Sequence, residues 1–251
     1  MDKKLKVKSI LVTQPKPESD KSPFFELAKR YNLKIDFRPF IHVEGIPAKE
    51  FRKEKISPSD FSAVIFTSRN SIDHYFRVCE ELRIEVSAEM KYYCITEAVA
   101  LYMQKYVQYR KRKVFIGKQT TADLIELLKK HKDEKYFYPC TDVHTDEIPV
   151  FMKNNGFNFS EAVIYRTVCS DLSDLAEVNY DMIAFFSPSG IKSLFKNFPD
   201  FKQNNTRIAT FGPTTARAVI DAGLNIDVQA PSPQAPSMTM AIEEYVKTAN
   251  K

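Results

Sequence analysis

Met182-Ile-Ala-Phe-Phe-Ser-Pro-Ser-Gly-Ile191 is the stretch on which the reading of this chain turns. An apolar run of strand length stops at Ser187, and Pro188 follows with a backbone angle suited to the first helical position. The spacing predicts a strand over 181–186 and a helix over 189–197. Strand, polar turn and helix together form the repeating unit of a parallel sheet. The same unit stands 119 residues earlier, in Ala63-Val-Ile-Phe-Thr-Ser-Arg-Asn-Ser-Ile72. In that register Ser68 falls on Ser187, Asn70 on Ser189, Ile72 on Ile191 and Phe76 on Phe195. A looser echo relates Cys94-Ile-Thr-Glu-Ala98 to Gly212-Pro-Thr-Thr-Ala216. Two echoes are too few for a solenoid and suit two copies of one α/β fold.

Working outward, the pattern alternates along the whole chain. Lys6–Val12 and Lys34–Phe40 read as strands, with further strands expected at 63–67, 91–95, 113–116, 135–139, 159–166, 181–186, 206–211 and 225–229. Between them, Ser22-Pro23 opens a helix whose face carries Phe24, Leu27, Ala28 and Tyr31. Further helices are expected at 70–82, 97–106, 121–131, 145–155, 189–197, 213–222 and 235–248. Pro213 starts one of these and Gly223 closes it. About ten strands in 251 residues exceed one small sheet, so two doubly wound parallel-sheet α/β domains are expected.

Composition narrows the function classes. The chain is 43% hydrophobic and 27% charged, enough to build a core without a metal or disulfide staple. Cys79, Cys94, Cys140 and Cys169 are scattered, and no C-x-x-C pair or cysteine beside a histidine announces a metal. Reduced thiols in a cytoplasmic protein are expected. The N-terminal apolar run is too short for a secretion signal, and no stretch approaches the roughly 20 apolar residues that span a bilayer. The formal charge of +5 is mild. Its dense basic run, Arg110-Lys111-Arg112-Lys113, lacks aromatic interleaving and reads as a solvated approach to a strand, not a nucleic-acid footprint. A phosphate-binding P-loop, a dinucleotide fingerprint and a nucleophile elbow are all absent.

In open parallel sheets ligands bind beyond the carboxyl ends of the strands. Here those ends are rich in hydroxyls: Thr67-Ser68-Arg69-Asn70, Thr96, Gly117-Lys118-Gln119-Thr120-Thr121, Ser187-Pro188-Ser189-Gly190, Gly212-Pro213-Thr214-Thr215 and Ser232-Pro233-Gln234. Each precedes or opens a helix, where free N–H groups and the positive helix end favour anions. Any one such turn is ordinarily an N-cap. Six of them suggest a shared polar surface for an anionic ligand.

The C-terminal third carries a specific resemblance. Phe185-Phe-Ser-Pro-Ser-Gly-Ile191, Ile208-Ala-Thr-Phe-Gly-Pro-Thr-Thr-Ala-Arg-Ala218, Gly223 and Ala230-Pro-Ser-Pro-Gln-Ala235 resemble the uroporphyrinogen-III synthase family in letters, order and spacing. Upstream, Ile10-Leu-Val-Thr13, Val64-Ile-Phe-Thr-Ser68, Tyr138-Pro139-Cys140 and Val163-Ile-Tyr-Arg-Thr167 fall where that family has counterparts. The resemblance covers essentially the whole chain. It implies two flavodoxin-like or related domains joined by a two-stranded connector. One domain would comprise 1–36 plus 169–251, the inserted one 42–163, and the connector 37–41 and 164–168.

The resemblance also implies a reaction: hydroxymethylbilane, a linear tetrapyrrole with eight carboxylates, closes to uroporphyrinogen III with inversion of ring D and loss of water. That is a cyclising carbon–oxygen lyase in haem biosynthesis, with the substrate in the inter-domain cleft, no cofactor and no metal. Tyr165 is implied as the proton donor to the departing hydroxide. Ser68, Asn70, Thr96, Ser187, Ser189, Gly212, Thr214 and Thr215 are implied as substrate-binding residues, with Arg69 and Arg217 as accessory cations. Gln14 stands where many relatives have arginine, and Cys94 and Glu97 depart from a Gly-x-x-Thr-Ala turn. No nucleic-acid or membrane partner is expected, and the chain is expected to act as a monomer. A second reading fits the same turns: a hinged two-domain binding or regulatory protein that captures an anionic metabolite without converting it.

Overall fold

A computed structural model describes residues 6–176 and 178–250. The basic start of the chain at 2–4 lies outside the described residues. Two compact units result. The first combines the chain up to His42 with the chain from Val168 onward, and the second is Val43–Thr167.

The first unit is a five-stranded, wholly parallel sheet in the order β11-β10-β9-β1-β2. Its strands are β1 (Ser9–Val12), β2 (Lys34–Phe37), β9 (Met182–Phe185), β10 (Arg207–Phe211) and β11 (Val228–Ala230). Helices α1 (Pro23–Tyr31) and α9 (Met238–Ala249) cover one face, where Ile10, Val12, Met182 and Ala184 meet Leu27, Ile242 and Val246. Helices α7 (Pro188–Asn197) and α8 (Pro213–Asp221) cover the other, where Leu11, Ile183 and Phe185 meet Ile191, Leu194 and Val219. Successive strand residues thus point to opposite faces, and both faces are buried. That is why these strands read as continuous apolar runs.

The second unit is a six-stranded sheet in the order β3-β8-β7-β4-β5-β6. Its strands are β3 (Ile41–Gly45), β4 (Ala63–Phe66), β5 (Lys91–Cys94), β6 (Val114–Ile116), β7 (Lys135–Thr141) and β8 (Asn158–Cys169). Between β3 and β4 lies the short helix α2 (Ala48–Phe51). Helices α3 (Arg69–Glu81) and α4 (Glu97–Tyr102) bury Ile72, Tyr75 and Ala100 against Val64 and Phe66. On the opposite face, α5 (Thr121–Lys129) and α6 (Glu147–Asn154) bury Leu124, Leu128 and Met152 against Ala63, Ile65 and Tyr136.

Strand β3 is not among the expected strands; its sequence, IHVEG, is half-exposed and offers no apolar run. It pairs with β8 in antiparallel sense, since Ile46 N–H donates to Ile164 C=O and Ser170 N–H to Phe40 C=O, each at 2.9 Å. Residues 164–168 are the interior of the twelve-residue β8, not a separate element.

The strand orders explain the internal echo. In chain order the first unit reads 2-1-3-4-5, the flavodoxin-like order, whereas β4 to β8 read 3-2-1-4-5. Started from β9 and β4, however, β11-β10-β9-β1-β2 and β6-β5-β4-β7-β8 are the same arrangement. The two units are circular permutants of one doubly wound fold. The similarity between 63–72 and 182–191 marks β4 and β9, the equivalent strands.

Lys113 corrects the reading of the basic run. It is buried, with its ammonium donating to Ala88 C=O and paired with Glu89 at 2.7 Å. Its long stem packs at the start of β6 while the head finds oxygen partners.

Candidate functional site

In doubly wound sheets ligands bind at the carboxyl ends of the strands, at the point where the strand order reverses. In the second unit this point lies between β4 and β7. Beyond β4 the chain passes through Thr67 and Ser68 into α3. Ser68 caps that helix: its Oγ accepts the Ser71 N–H at 3.1 Å, and the Ser71 hydroxyl is within 3.2 Å of the Ser68 N–H in a capping box. The Ser68 hydroxyl also lies 3.2 Å from the Tyr165 hydroxyl. Two residues 97 positions apart meet because β7 lies between β4 and β8, and Tyr165 pairs level with Thr141 at the end of β7.

Tyr165 is 6% exposed. Burial pushes its phenol above the ordinary tyrosine range, and the Ser68 hydrogen bond pulls it partly back. Its ring stacks on His74, with centroids 5.1 Å apart and planes 15° apart. His74 was missed from sequence because it falls on a helix face that reads only as core packing. Its Nδ1 accepts from Arg77 Nε at 3.1 Å, so a ring proton belongs on Nε2. Burial, with the Arg77 charge beside it, lowers the His74 pKa and keeps the ring neutral. Arg77 in turn donates to Ile46 C=O at 2.9 Å, to Ile164 C=O at 3.2 Å and to Glu81 at 2.7 Å. Its guanidinium lies where a side chain on Gly45 would stand, 2.6 Å from the ideal Cβ. One arginine thus fixes the strand pair that carries Tyr165 and the imidazole that packs on it.

The other residues expected in this unit take simpler positions. Asn70 is exposed in the first turn of α3. Arg69 is exposed, with its guanidinium 5.2 Å from the Tyr102 ring. Thr96 caps α4 by accepting the Val99 N–H at 3.3 Å. Glu97 is exposed at the first position of that helix, where a carboxylate complements the helix dipole.

In the first unit the order reverses between β1 and β9. Thr13 follows β1 and is buried, its hydroxyl donating to Ala184 C=O at 2.9 Å, and Gln14 is exposed beside it. Ser187 is the N-cap residue of α7, and its side chain makes no capping hydrogen bond, so its hydroxyl is available. Ser189 is half-exposed in the first turn of that helix. Gly212 precedes α8 at φ 86° and ψ 152°, a region that only glycine enters readily. Its N–H donates to Ala230 C=O at 2.7 Å, which fixes the turn against β11.

That turn leaves the Thr214 and Thr215 amides without intrahelical acceptors, as helix geometry requires. Thr214 is exposed, but Thr215 is only 1% exposed. Of the two threonines implied as substrate-binding, Thr215 has its side chain on the buried face of α8, and Thr214 presents its side chain to solvent. Arg217 points outward and pairs with Asp221 at 2.9 Å, one turn along α8. A concavity of about 390 Å³, lined by Leu11, Phe40, Tyr180, Ile183 and Phe201, lies near the amino ends of the strands and includes none of these residues.

Among the described residues no helix is long and apolar enough to cross a membrane. The sequence pattern described as Uroporphyrinogen-III synthase HemD matches residues 23–240. The uroporphyrinogen-III synthase of Saccharomyces cerevisiae is 30% identical over a region covering 41% of this chain and 43% of the yeast protein. That match spans less than half of the yeast protein's length. Two crystal structures share the fold. Uroporphyrinogen-III synthetase of Helicobacter pylori has a TM-score of 0.60 at 17% identity, over 96% of this chain and 99% of that one. A mutant uroporphyrinogen III synthase of Thermus thermophilus has a TM-score of 0.56 at 13% identity, over the same shares. With 218 consecutive residues inside the family pattern, this chain belongs to the uroporphyrinogen-III synthase family.

Proposed function

We propose that this chain cyclises hydroxymethylbilane to uroporphyrinogen III, inverting ring D and releasing water, as a step of haem biosynthesis. The observation that carries the reading is the family match over residues 23–240, which contains every residue assigned a role here.

The chemistry asks three things of the protein. It must hold an octacarboxylate in a folded shape, help hydroxide leave, and stabilise the cation left behind. Helix starts with free amides and hydroxyls supply the first. Ser187, Ser189, Gly212 and Thr214 offer them in one unit, with Thr215 contributing its amide. In the other, Ser68, Asn70 and Thr96 stand at the starts of α3 and α4, where the Ser68 and Thr96 hydroxyls serve as caps and the exposed Asn70 side chain is open to a carboxylate.

Tyr165 serves the second. A phenol held above its ordinary range keeps its proton at neutral pH and donates a hydrogen bond to the departing oxygen. Ser68 Oγ already accepts from Ser71 N–H, so its own proton is free to support the phenol oxygen as negative charge develops there. The leaving oxygen departs with that proton as water. The carbon it leaves forms a new bond to the substituted position of ring D. The older bond from that position to the neighbouring ring then breaks and re-forms at ring D's unsubstituted position, and the proton lost there balances the one Tyr165 gave, leaving the ring inverted. Closure without inversion competes in water, so positioning of ring D decides the product.

Incubating the full chain with hydroxymethylbilane and separating the oxidised products by isomer tests the reading. The type III isomer above the spontaneous type I background supports it. Binding of the substrate with type I as the sole product would show a capturing protein instead.

A further inference from the structure

At the end of β7, a pair of side chains four positions apart meets a third from the neighbouring strand β8. Cys140 Sγ, a His144 ring nitrogen and a Glu161 carboxylate oxygen all lie within 4.8 Å of one another. We propose that they form a binding site for a divalent cation of the zinc class, each residue supplying one ligand atom and water completing the shell.

The sequence offered no such expectation. Cys140 and His144 are four positions apart across a strand end and turn, and Glu161 comes from the neighbouring strand. Parallel pairing brings them together, because β7 and β8 align Tyr138 with Glu161 and Cys140 with Val163. Cys140 is buried, and its thiol has only a 3.4 Å contact to Ala162 C=O.

His144 is oriented as a ligand would need. Its Nδ1 lies 2.7 Å from Thr141 C=O. A carbonyl only accepts, so Nδ1 carries the proton and the Nε2 lone pair is free. An imidazole anchored through one nitrogen to a backbone carbonyl is the usual outer-shell arrangement of metal-binding histidines. Nε2 stands 3.8 Å from Glu161 Oε2. Ligand bonds of about 2.0–2.3 Å in tetrahedral geometry place donor atoms about 3.3–3.8 Å apart. The histidine–carboxylate pair is at that spacing, and small side-chain rotations bring the sulfur in.

The donor set selects the cation. One sulfur, one imidazole and one carboxylate suit zinc and its neighbours, whereas calcium and magnesium require oxygen shells. On binding, the S–H bond breaks, a sulfur–metal bond forms and the proton leaves to solvent. Cys140 packs with the α5 and α6 face of the sheet, and Tyr165 with the α3 and α4 face. The cation site and the Tyr165–Ser68 pair therefore use opposite faces of the sheet, although Cys140 and Tyr165 lie close enough for a charge on one to be felt by the other. The cobalt titration reads the cation site without reference to turnover.

Titration of the full chain with Co²⁺, followed by displacement with Zn²⁺, tests the site. One equivalent of Co²⁺ is expected to give a thiolate-to-cobalt charge-transfer band that Zn²⁺ abolishes. Cys140→Ser is expected to lose the band. His144→Ala and Glu161→Gln are expected to keep the fold by circular dichroism and to weaken Co²⁺ binding about tenfold or more. Three results would overturn the proposal: no band at one equivalent, a band that survives Cys140→Ser, or wild-type affinity in both His144→Ala and Glu161→Gln. If Cys140→Ser fails to fold, the two substitutions at the more accessible ligands decide the matter.

Discussion

The Tyr165 hydroxyl stands 3.2 Å from Ser68 Oγ, and that same Oγ accepts the Ser71 N–H at 3.1 Å. A helix N-terminus is thereby linked through one serine to a buried phenol. The serine has a structural duty as cap and a chemical one as partner of the phenol, and these can be separated by substitution.

Tyr165→Phe removes the phenol oxygen and leaves the ring that stacks on His74. Type III formation is expected to fall about 10²-fold, the low end of what a positioned proton donor contributes. The thermal midpoint is expected to move by no more than about 4 °C, since one hydrogen bond is worth about 1 kcal/mol. Initial rates and a melting curve on the same preparation check both.

Ser68→Ala removes the cap of α3 as well as the partner of Tyr165. A loss of about 1 kcal/mol of stability is expected, together with lowered turnover. Ser68→Thr retains an N-cap hydroxyl and is expected to recover most of the stability. Urea unfolding of the two variants beside wild type makes the comparison.

Gly212→Ala tests the turn before α8. An added Cβ would meet nothing within 4 Å, so steric contact costs nothing. The backbone at φ 86° and ψ 152° is the cost, about 1–3 kcal/mol for a residue forced into that region. Because the turn presents the Thr214 and Thr215 amides, KM for hydroxymethylbilane is expected to rise along with the loss of stability.

Asp181 gives a pH dependence with a definite sign. Its carboxylate accepts from the Lys8 and Ser9 amides at 2.8 and 2.9 Å and from the Ser9 hydroxyl at 3.2 Å, joining the starts of β1 and β9. Burial alone would raise its pKa, but these hydrogen bonds outweigh it and hold it below the usual carboxylate value. A depressed folded-state pKa contributes stability above the unfolded value of about 3.9 and loses it as pH falls through the folded value. Asp181→Asn is expected to be less stable than wild type at pH 7 and to show a flatter decline below about pH 4. Denaturation midpoints across that range test it.

Much of the fold was readable from the sequence because both sheet faces are buried. Apolar runs such as Ala63–Phe66 and Met182–Phe185 could be placed within a residue or two. So could helices opened by Pro23, Pro188 and Pro213. β3 escaped because a half-exposed edge strand has no such run. The strand expected at 225–229 is shorter and later, at Val228–Ala230, because Asp227 ends the preceding loop by accepting the Ile208 N–H. The permuted relation of the two units lies in which strands are neighbours, and a linear sequence does not show that. The polar turns at the strand ends were legible one by one. The contacts of Tyr165 with Ser68 and His74, and the meeting of Cys140 with Glu161, depend on pairing between distant segments. The burial of Thr215 beside the exposed Thr214 was not legible because helix phase, not residue type, sets which of two adjacent threonines faces the core.

The central claim is that this chain directs ring closure to the inverted isomer. Measuring the fraction of type III product from a fixed amount of hydroxymethylbilane, as the concentration of the full chain is raised, tests it most directly. The fraction is expected to rise with protein towards completion and to stay at the spontaneous level when Tyr165→Phe replaces wild type at low concentration. A product that remains type I at every protein concentration would contradict the account.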